Sequence, residues 1–117
     1  MGRLSTHVLD TVNGKPAEGV EIELFAIEGE RRHSVVATVT NADGRTDAPL
    51  MTGEAFRTGT YELVFHVGAY FRSVGTAVAD PPFLDIVPIR FSIAEPLGQY
   101  HVPLLVSPWS YSTYRAS

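Results

Sequence analysis

The 117-residue chain contains no cysteine, which excludes disulfides, thiolate metal ligands and a cysteine nucleophile. Its longest apolar runs, such as residues 102–106, are far too short for a membrane-spanning helix. The first ten residues lack the apolar segment of a signal peptide. The nine basic residues are scattered and the net charge is −4, which argues against a phosphate-binding surface. These absences favour a cytoplasmic protein with neither nucleic-acid nor membrane partners.

The hydrophobic pattern that is present has a period of two, which is typical of β-strands with one face in the core. Residues 20–24 alternate apolar side chains with glutamates, and in residues 34–40 the apolar face consists of Val35, Ala37 and Val39. Seven main strands are predicted, at residues 4–11, 20–24, 34–40, 61–67, 87–93, 100–107 and 109–115. An eighth, short strand is expected near Leu50.

Turn-prone sequences separate these strands at residues 13–16, 27–30, 41–44 and 57–60. Residues 68–75 break the period-two pattern and predict one short helix that ends at Gly75. A mass of 12.8 kDa fits one domain. The sequence therefore predicts an all-β fold, an antiparallel β-sandwich formed by a single domain over residues 1–117.

Three predicted strands have a second face that is neither core-like nor fully polar. In the first strand this face carries Ser5, His7 and Leu9. Corresponding faces in the last two strands hold His101, Pro103, Leu105 and Ser107, and then Ser110, Ser112 and Tyr114. Either these are scattered surface residues, or they line an interface or cleft between subunits. Since the first and last strands of a sandwich often share a sheet, His7 and His101 are expected to lie close together.

Two of the four histidines are the best candidates for chemistry. His33 lies beside two arginines at a turn and His66 lies on a polar face, so both are interpreted as ordinary surface residues. His7 and His101 have apolar neighbours, and partial desolvation favours the neutral imidazole that a general base requires. Their spacing matches no zinc motif, so no metal is predicted.

Arginine is a second candidate functional group. Arg45 follows the Asp43-Gly44 turn, where it is either a solvated turn residue or a planar fork for an oxygen-rich ligand. At the final residues, Tyr114 to Ser117, an aromatic ring and a guanidinium are expected beside a terminal carboxylate, and the alternative is an ordinary frayed terminus.

In these motifs the chain resembles the 5-hydroxyisourate hydrolases, the transthyretin-like enzymes of urate breakdown. The resemblance runs essentially from end to end. It rests on the combination of the first-strand histidine, the arginine after Asp-Gly, the His-Val-Pro-Leu-Leu run and the Tyr-Arg ending. The matching stretches are residues 4–10, 14–17, 43–45, 82–85, 87–91, 100–108 and 111–117.

The resemblance implies a prealbumin-type sandwich of two four-stranded sheets with one short helix. It implies a homotetramer, a dimer of dimers whose active sites lie at the dimer–dimer interface. The small-molecule substrate would be 5-hydroxyisourate, whose six-membered ring opens by hydrolysis of a C–N bond without a cofactor. The implied catalytic residues are His7, His101 and Arg45, with which Tyr114, Arg115 and Ser117 would bind the substrate. Which histidine is the base stays open.

One position departs from the family, whose members usually end Tyr-Arg-Gly-Ser, whereas this chain has Ala116. Alanine is costly there only if the backbone needs a positive φ. Two other functions are weighed against hydrolysis. A transthyretin-type carrier lacks the histidine pair and the Tyr-Arg ending, and an adhesion-type sandwich gives no reason for the histidine faces.

Overall fold

The computed structural model describes residues 1–116, and most of this chain is β-structure. The described part contains nine strands, one α-helix and one turn of 3₁₀-helix at Gly53–Ala55. The helix, α1, is Val67–Ser73. The strands are β1 (Arg3–Asp10), β2 (Lys15–Pro16), β3 (Glu21–Glu28), β4 (Arg31–Val39), β5 (Met51–Thr52), β6 (Gly59–His66), β7 (Ile86–Ile93), β8 (Gln99–Val106) and β9 (Tyr111–Thr113).

The strands form two sheets, as the resemblance implied. One has the order β2-β1-β8-β9, with the short β5 also paired to β1, and the other has the order β4-β3-β6-β7. β5 is the predicted strand near Leu50, whereas β2 lies within a segment predicted to be only a turn.

The expectation of a wholly antiparallel sandwich is wrong for one pair, because β1 and β8 run parallel. Hairpins force neighbouring strands to be antiparallel, but β1 and β8 are separated by most of the chain. The intervening strands cross to the other sheet and return, which leaves room for a parallel pairing.

The core lies between the sheets and is built from the alternation seen in the sequence. Along β1 and β8, every second side chain is buried, including Leu4, Val8 and Leu104. β3 and β6 supply Leu24 and Phe65 from the opposite sheet. Consequently the other face of β1 and β8 points away from the core.

The predicted inward face of β4 is wrong, because Val35 and Val39 are exposed and Val36 is partly buried. The side chain of Thr40 is buried, donates to the Ala17 carbonyl at 2.7 Å and accepts from the Val20 amide at 2.9 Å. Buried polar groups need such partners, and this anchor sets the face of the preceding strand. Pairing between β3 and β4 also shifts register at Leu24/Phe25, so the alternation does not continue unbroken.

The helix confirms the prediction for residues 68–75, and Gly75 follows it with φ +79°. The Tyr70 hydroxyl donates to the Asp10 carboxylate at 2.7 Å, which ties the helix to the end of β1. Burial raises the pKa of Asp10, but hydrogen bonds from Asn13, Tyr70 and Val12 outweigh it and lower the pKa overall. No helix in residues 1–116 is long and apolar enough to cross a membrane.

Candidate active site

The parallel pairing of β1 and β8 brings the two candidate histidines together. In this register Ser5 is opposite His101 and His7 is opposite Pro103. All four side chains therefore share the face that points away from the core. The ring centroids of His7 and His101 are 6.4 Å apart. The structural prediction that the two histidines lie close together is confirmed.

Beside the pair is an open polar cleft of about 340 Å³. It contains two guanidinium groups and one imidazole but no carboxylate in its lining, as far as residues 1–116 are concerned. Such a lining suits a ligand rich in carbonyl oxygens or negative charge. The lining residues are Arg3, Ser5, Arg45, Gln99, Tyr100 and His101.

Arg45 reaches this cleft from a turn that is fixed against β1. The Gly44 carbonyl accepts a hydrogen bond from the Val8 amide at 2.8 Å. Gly44 has φ +74°, and a Cβ there would lie 2.4 Å from the Val8 carbonyl oxygen, so only glycine fits. The Asn41 side chain accepts from the Asp43 amide at 2.9 Å and the Arg45 amide at 3.3 Å. The Asp-Gly-Arg sequence thus serves to hold a guanidinium next to the histidines.

Both histidines are biased towards the neutral form. Desolvation lowers the pKa of His7 and the positive charge of Arg45 lowers it further, while the main chain and carboxylate of Asp43 act in the opposite direction. Desolvation also lowers the pKa of His101, followed by the charges of Arg45, His7 and Arg3. A neutral imidazole has one nitrogen lone pair and one N–H, so each ring can accept a proton at one nitrogen and donate a hydrogen bond from the other.

The two arginines should be distinguishable by NMR titration of the imidazole protons. Removing a nearby positive charge makes protonation easier, so Arg45→Gln should raise the pKa of both histidines. Arg3→Gln should raise the pKa of His101 and leave the pKa of His7 unchanged. Equal shifts of both rings in the Arg3 variant would contradict this placement of Arg3.

Tyr114 and Arg115 do not line the histidine cleft of the same chain, although Arg115 contacts two residues that do, Gln99 and Tyr100. The Arg115 guanidinium lies 4.1 Å from the centre of the Tyr100 ring, and its Nη2 donates to the Gln99 carbonyl at 3.3 Å. Because Tyr100 and His101 are successive residues of β8, their side chains lie on opposite faces. Tyr114 and Arg115 line a separate groove of about 250 Å³ together with Phe91 of β7.

Of the last two residues, the structure describes Ala116 but not Ser117. Ala116 pairs with His101 in an antiparallel bridge, with hydrogen bonds of 2.8 and 3.1 Å in the two directions. No residue other than glycine has a positive φ within the described chain, so alanine carries no backbone penalty at this position. Ser117, predicted to bind substrate, lies outside the described residues.

The other two histidines lie on the opposite sheet. His33 is exposed on β4, and the His66 Nε2 lies 3.1 Å from a carboxylate oxygen of Glu23. Neither approaches the cleft.

Arg3 and Ser5 both line the cleft. The sequence interpretation did not name Arg3, and it placed Ser5 on the second face of the first strand without assigning it a role. Extending the period of two from His7 towards the start of β1 passes through both residues. The alternation therefore predicts that both residues lie on the same face as His7. Which residues surround them depends on the pairing of β1 with β8, which only the fold reveals.

Comparison with known proteins agrees with this fold. The HIUase/Transthyretin family matches residues 4–116. The chain is 60% identical to the 5-hydroxyisourate hydrolase 2 of Rhizobium meliloti, covering 99% of this chain and 97% of that protein. The fold is that of a transthyretin-like β-sandwich, and the chain belongs to the HIUase/Transthyretin family.

Two solved structures show how widely this fold is shared. The chain superimposes on (S)-allantoin synthase with a TM-score of 0.94 and 50% identity, covering 99% of this chain but 44% of that one. It also superimposes on sea bream transthyretin in complex with thyroxine, with a TM-score of 0.85 and 30% identity over 97% of this chain and 94% of that one. Since a synthase and a thyroxine-bound transthyretin share the fold, function has to be argued from the site.

Proposed function

We propose that this chain is a hydrolase that opens the six-membered ring of 5-hydroxyisourate during urate breakdown. The observation that carries the proposal is the pair of histidines, whose ring centroids are 6.4 Å apart and whose pKa values are lowered by desolvation and by the charge of Arg45. The high identity to a 5-hydroxyisourate hydrolase over nearly the whole chain supports the same conclusion. The proposed compartment is the cytoplasm, which a cysteine-free chain fits.

The chemistry needs an activated water, a polarised carbonyl and a ring held in place. A neutral imidazole of the His7–His101 pair takes a proton from water as the oxygen attacks the ring carbonyl. Arg45 binds the ring oxygens and stabilises the negative charge that develops on the attacked carbonyl oxygen. The C–N bond then breaks and the departing nitrogen takes up a proton. Water is the only co-reactant, so the reaction requires no cofactor.

The remaining proposed binding residues reach the substrate pocket only when the subunits associate. We propose a homotetramer, a dimer of dimers in which Tyr114, Arg115 and Ser117 help to shape the substrate pockets at the dimer–dimer interface. Exposed aromatic residues support an association of this kind. Phe83 and Trp109 are 69% and 59% exposed, yet their rings stack with centroids 6.0 Å apart. Tyr114 is also 59% exposed.

Leu105→Glu tests the assembly. Leu105 lies on the same outward face as the histidine pair, so the substitution introduces a charge into each dimer–dimer contact. Light scattering should give about 51 kDa for the wild type, four times 12.8 kDa, and a smaller species for the variant. Val35→Glu, on the exposed face of β4, is the matched control and should stay tetrameric. A monomeric wild type at micromolar concentration would contradict the shared site.

The product distinguishes hydrolysis from ligand carriage. Freshly generated 5-hydroxyisourate should be converted by catalytic amounts of the protein to the ring-opened carboxylate, 2-oxo-4-hydroxy-4-carboxy-5-ureidoimidazoline, as followed by carbon NMR. A transthyretin-type carrier would instead bind a stoichiometric amount of ligand and leave its rate of decay unchanged. That outcome would overturn the proposal.

A further inference from the structure

One hydrogen bond at the site involves a residue to which no role has yet been given. The Ser5 hydroxyl oxygen lies 2.8 Å from Nδ1 of His101. The two residues are direct partners in the parallel β1–β8 register, and both are half-buried. Two adjacent strands of one sheet therefore fix this contact, rather than a flexible loop.

We propose that Ser5 is a positioning residue for the hydrolysis proposed above. Its hydroxyl donates a hydrogen bond to Nδ1 of His101, and the neutral ring consequently carries its proton on Nε2. A histidine has two neutral tautomers, and the partner of one nitrogen selects the state of the other. Ser5 thereby sets what His101 offers to a bound substrate.

The direction of the bond follows from the hydrogens that need acceptors. The Ser5 hydroxyl makes no side-chain hydrogen bond to any other residue of the described chain. Donation to Nδ1 satisfies both the hydroxyl and the ring nitrogen with one contact. In the opposite direction, Nδ1–H would donate to the oxygen, and the hydroxyl proton would depend on solvent in the open cleft for its acceptor instead of on the protein.

With this tautomer, the two histidines have different roles. His101 presents an N–H that, with the Arg45 guanidinium, stabilises negative charge on the carbonyl oxygen attacked by water. The general base is then His7. Its protonated form is favoured by a hydrogen bond to the main chain of Asp43 and by the negative charge of the Asp43 carboxylate.

His7 alone accepts and returns the proton that is transferred. Its free nitrogen takes a proton from water while the water oxygen bonds to the carbonyl carbon. When the C–N bond breaks, His7 returns that proton to the departing ring nitrogen. His101 remains neutral throughout, which fits the positive charges of Arg45 and Arg3 around it.

Nitrogen-15 NMR of the imidazole rings tests the proposal without substrate. Wild-type His101 should show a protonated Nε2 and an acceptor Nδ1. In Ser5→Ala, which removes only a hydroxyl, the two His101 tautomers should mix while the signals of His7 stay unchanged. Ser34→Ala, on exposed β4, is the control and should alter neither ring. A wild-type His101 protonated on Nδ1 would overturn the proposal.

Kinetics provides the second readout. Ser5→Ala should lower kcat at least about 10-fold, the effect of one lost hydrogen bond, with little change in KM. Ser5→Thr keeps the hydroxyl and should restore most of the rate. An unchanged kcat in Ser5→Ala would refute the positioning role even if the protein is a hydrolase. Conversely, a wild type that does not hydrolyse 5-hydroxyisourate would refute the proposed function while the NMR result still decides the tautomer.

Discussion

Replacing either His7 or His101 with asparagine should lower kcat by about 10²–10⁴-fold, the usual effect of losing a general acid–base or a positioned charge-stabilising group. Asparagine keeps a polar side chain on the outward face of the sheet, so the fold and the assembly should persist. The two ring centroids lie 6.4 Å apart, so we expect both rings to act on the same reacting centre. The double variant should therefore lose little more than the slower single variant.

His33→Asn and His66→Asn are the matched controls, because both residues lie on the other sheet. Each should turn over 5-hydroxyisourate at close to the wild-type rate. Near-normal kcat in both His7→Asn and His101→Asn would refute the assignment of chemistry to this pair.

The pH dependence of kcat/KM should have an acid limb. A protonated histidine cannot accept a proton from water, so activity falls as the pH drops through the pKa of the base. Since desolvation and Arg45 lower the pKa of both histidines, the midpoint in the free enzyme should lie below the ordinary value of 6.5. A midpoint above 6.5 would contradict the electrostatics of the site.

Arg45→Lys should lower kcat/KM by at least about 10-fold, on the order of 1.4 kcal/mol of transition-state stabilisation. Lysine keeps the positive charge but loses the planar fork that contacts two oxygens at once. Since Arg45 is exposed and follows a turn held by Gly44 and Asn41, the thermal midpoint of unfolding should stay nearly unchanged.

Arg31→Lys, on exposed β4, is the control and should have wild-type kinetics. If Arg45→Lys were equally active, Arg45 would be only a solvated turn residue. A large drop in the thermal midpoint would instead assign it to folding.

Much of the fold could be predicted from the chain because strands with one buried face alternate visibly. β1 and β7 follow this rule throughout, and β3 follows it over residues 21–24. β6 and β8 follow it apart from one additional buried residue each, Val64 and Pro103. The exceptions have physical causes that are not local. The inward face of β4 is set by buried Thr40, whose partners Ala17 and Val20 are about twenty residues away. The parallel pairing of β1 with β8 depends on how the whole chain crosses between the sheets.

The site could be predicted in part for the same reason. His7 and His101 stood out because imidazoles on a half-apolar face are unusual. Arg3 and Ser5 did not, since an arginine and a serine on an outward strand face are common until the neighbouring strand is known. The placement of Arg115 over Tyr100 is a tertiary contact between β8 and the end of the chain, and no spacing in the sequence reports it.

The most direct measurement follows the absorbance of freshly generated 5-hydroxyisourate with wild-type protein, with the His7→Asn/His101→Asn double variant and with buffer alone. With catalytic amounts of the wild type, the initial rate of loss should rise in proportion to protein concentration and exceed the spontaneous rate. The double variant should stay close to the buffer trace. Coincident traces for wild type and buffer would contradict the proposed hydrolase activity, and equally fast traces for wild type and variant would place the chemistry outside the histidine pair.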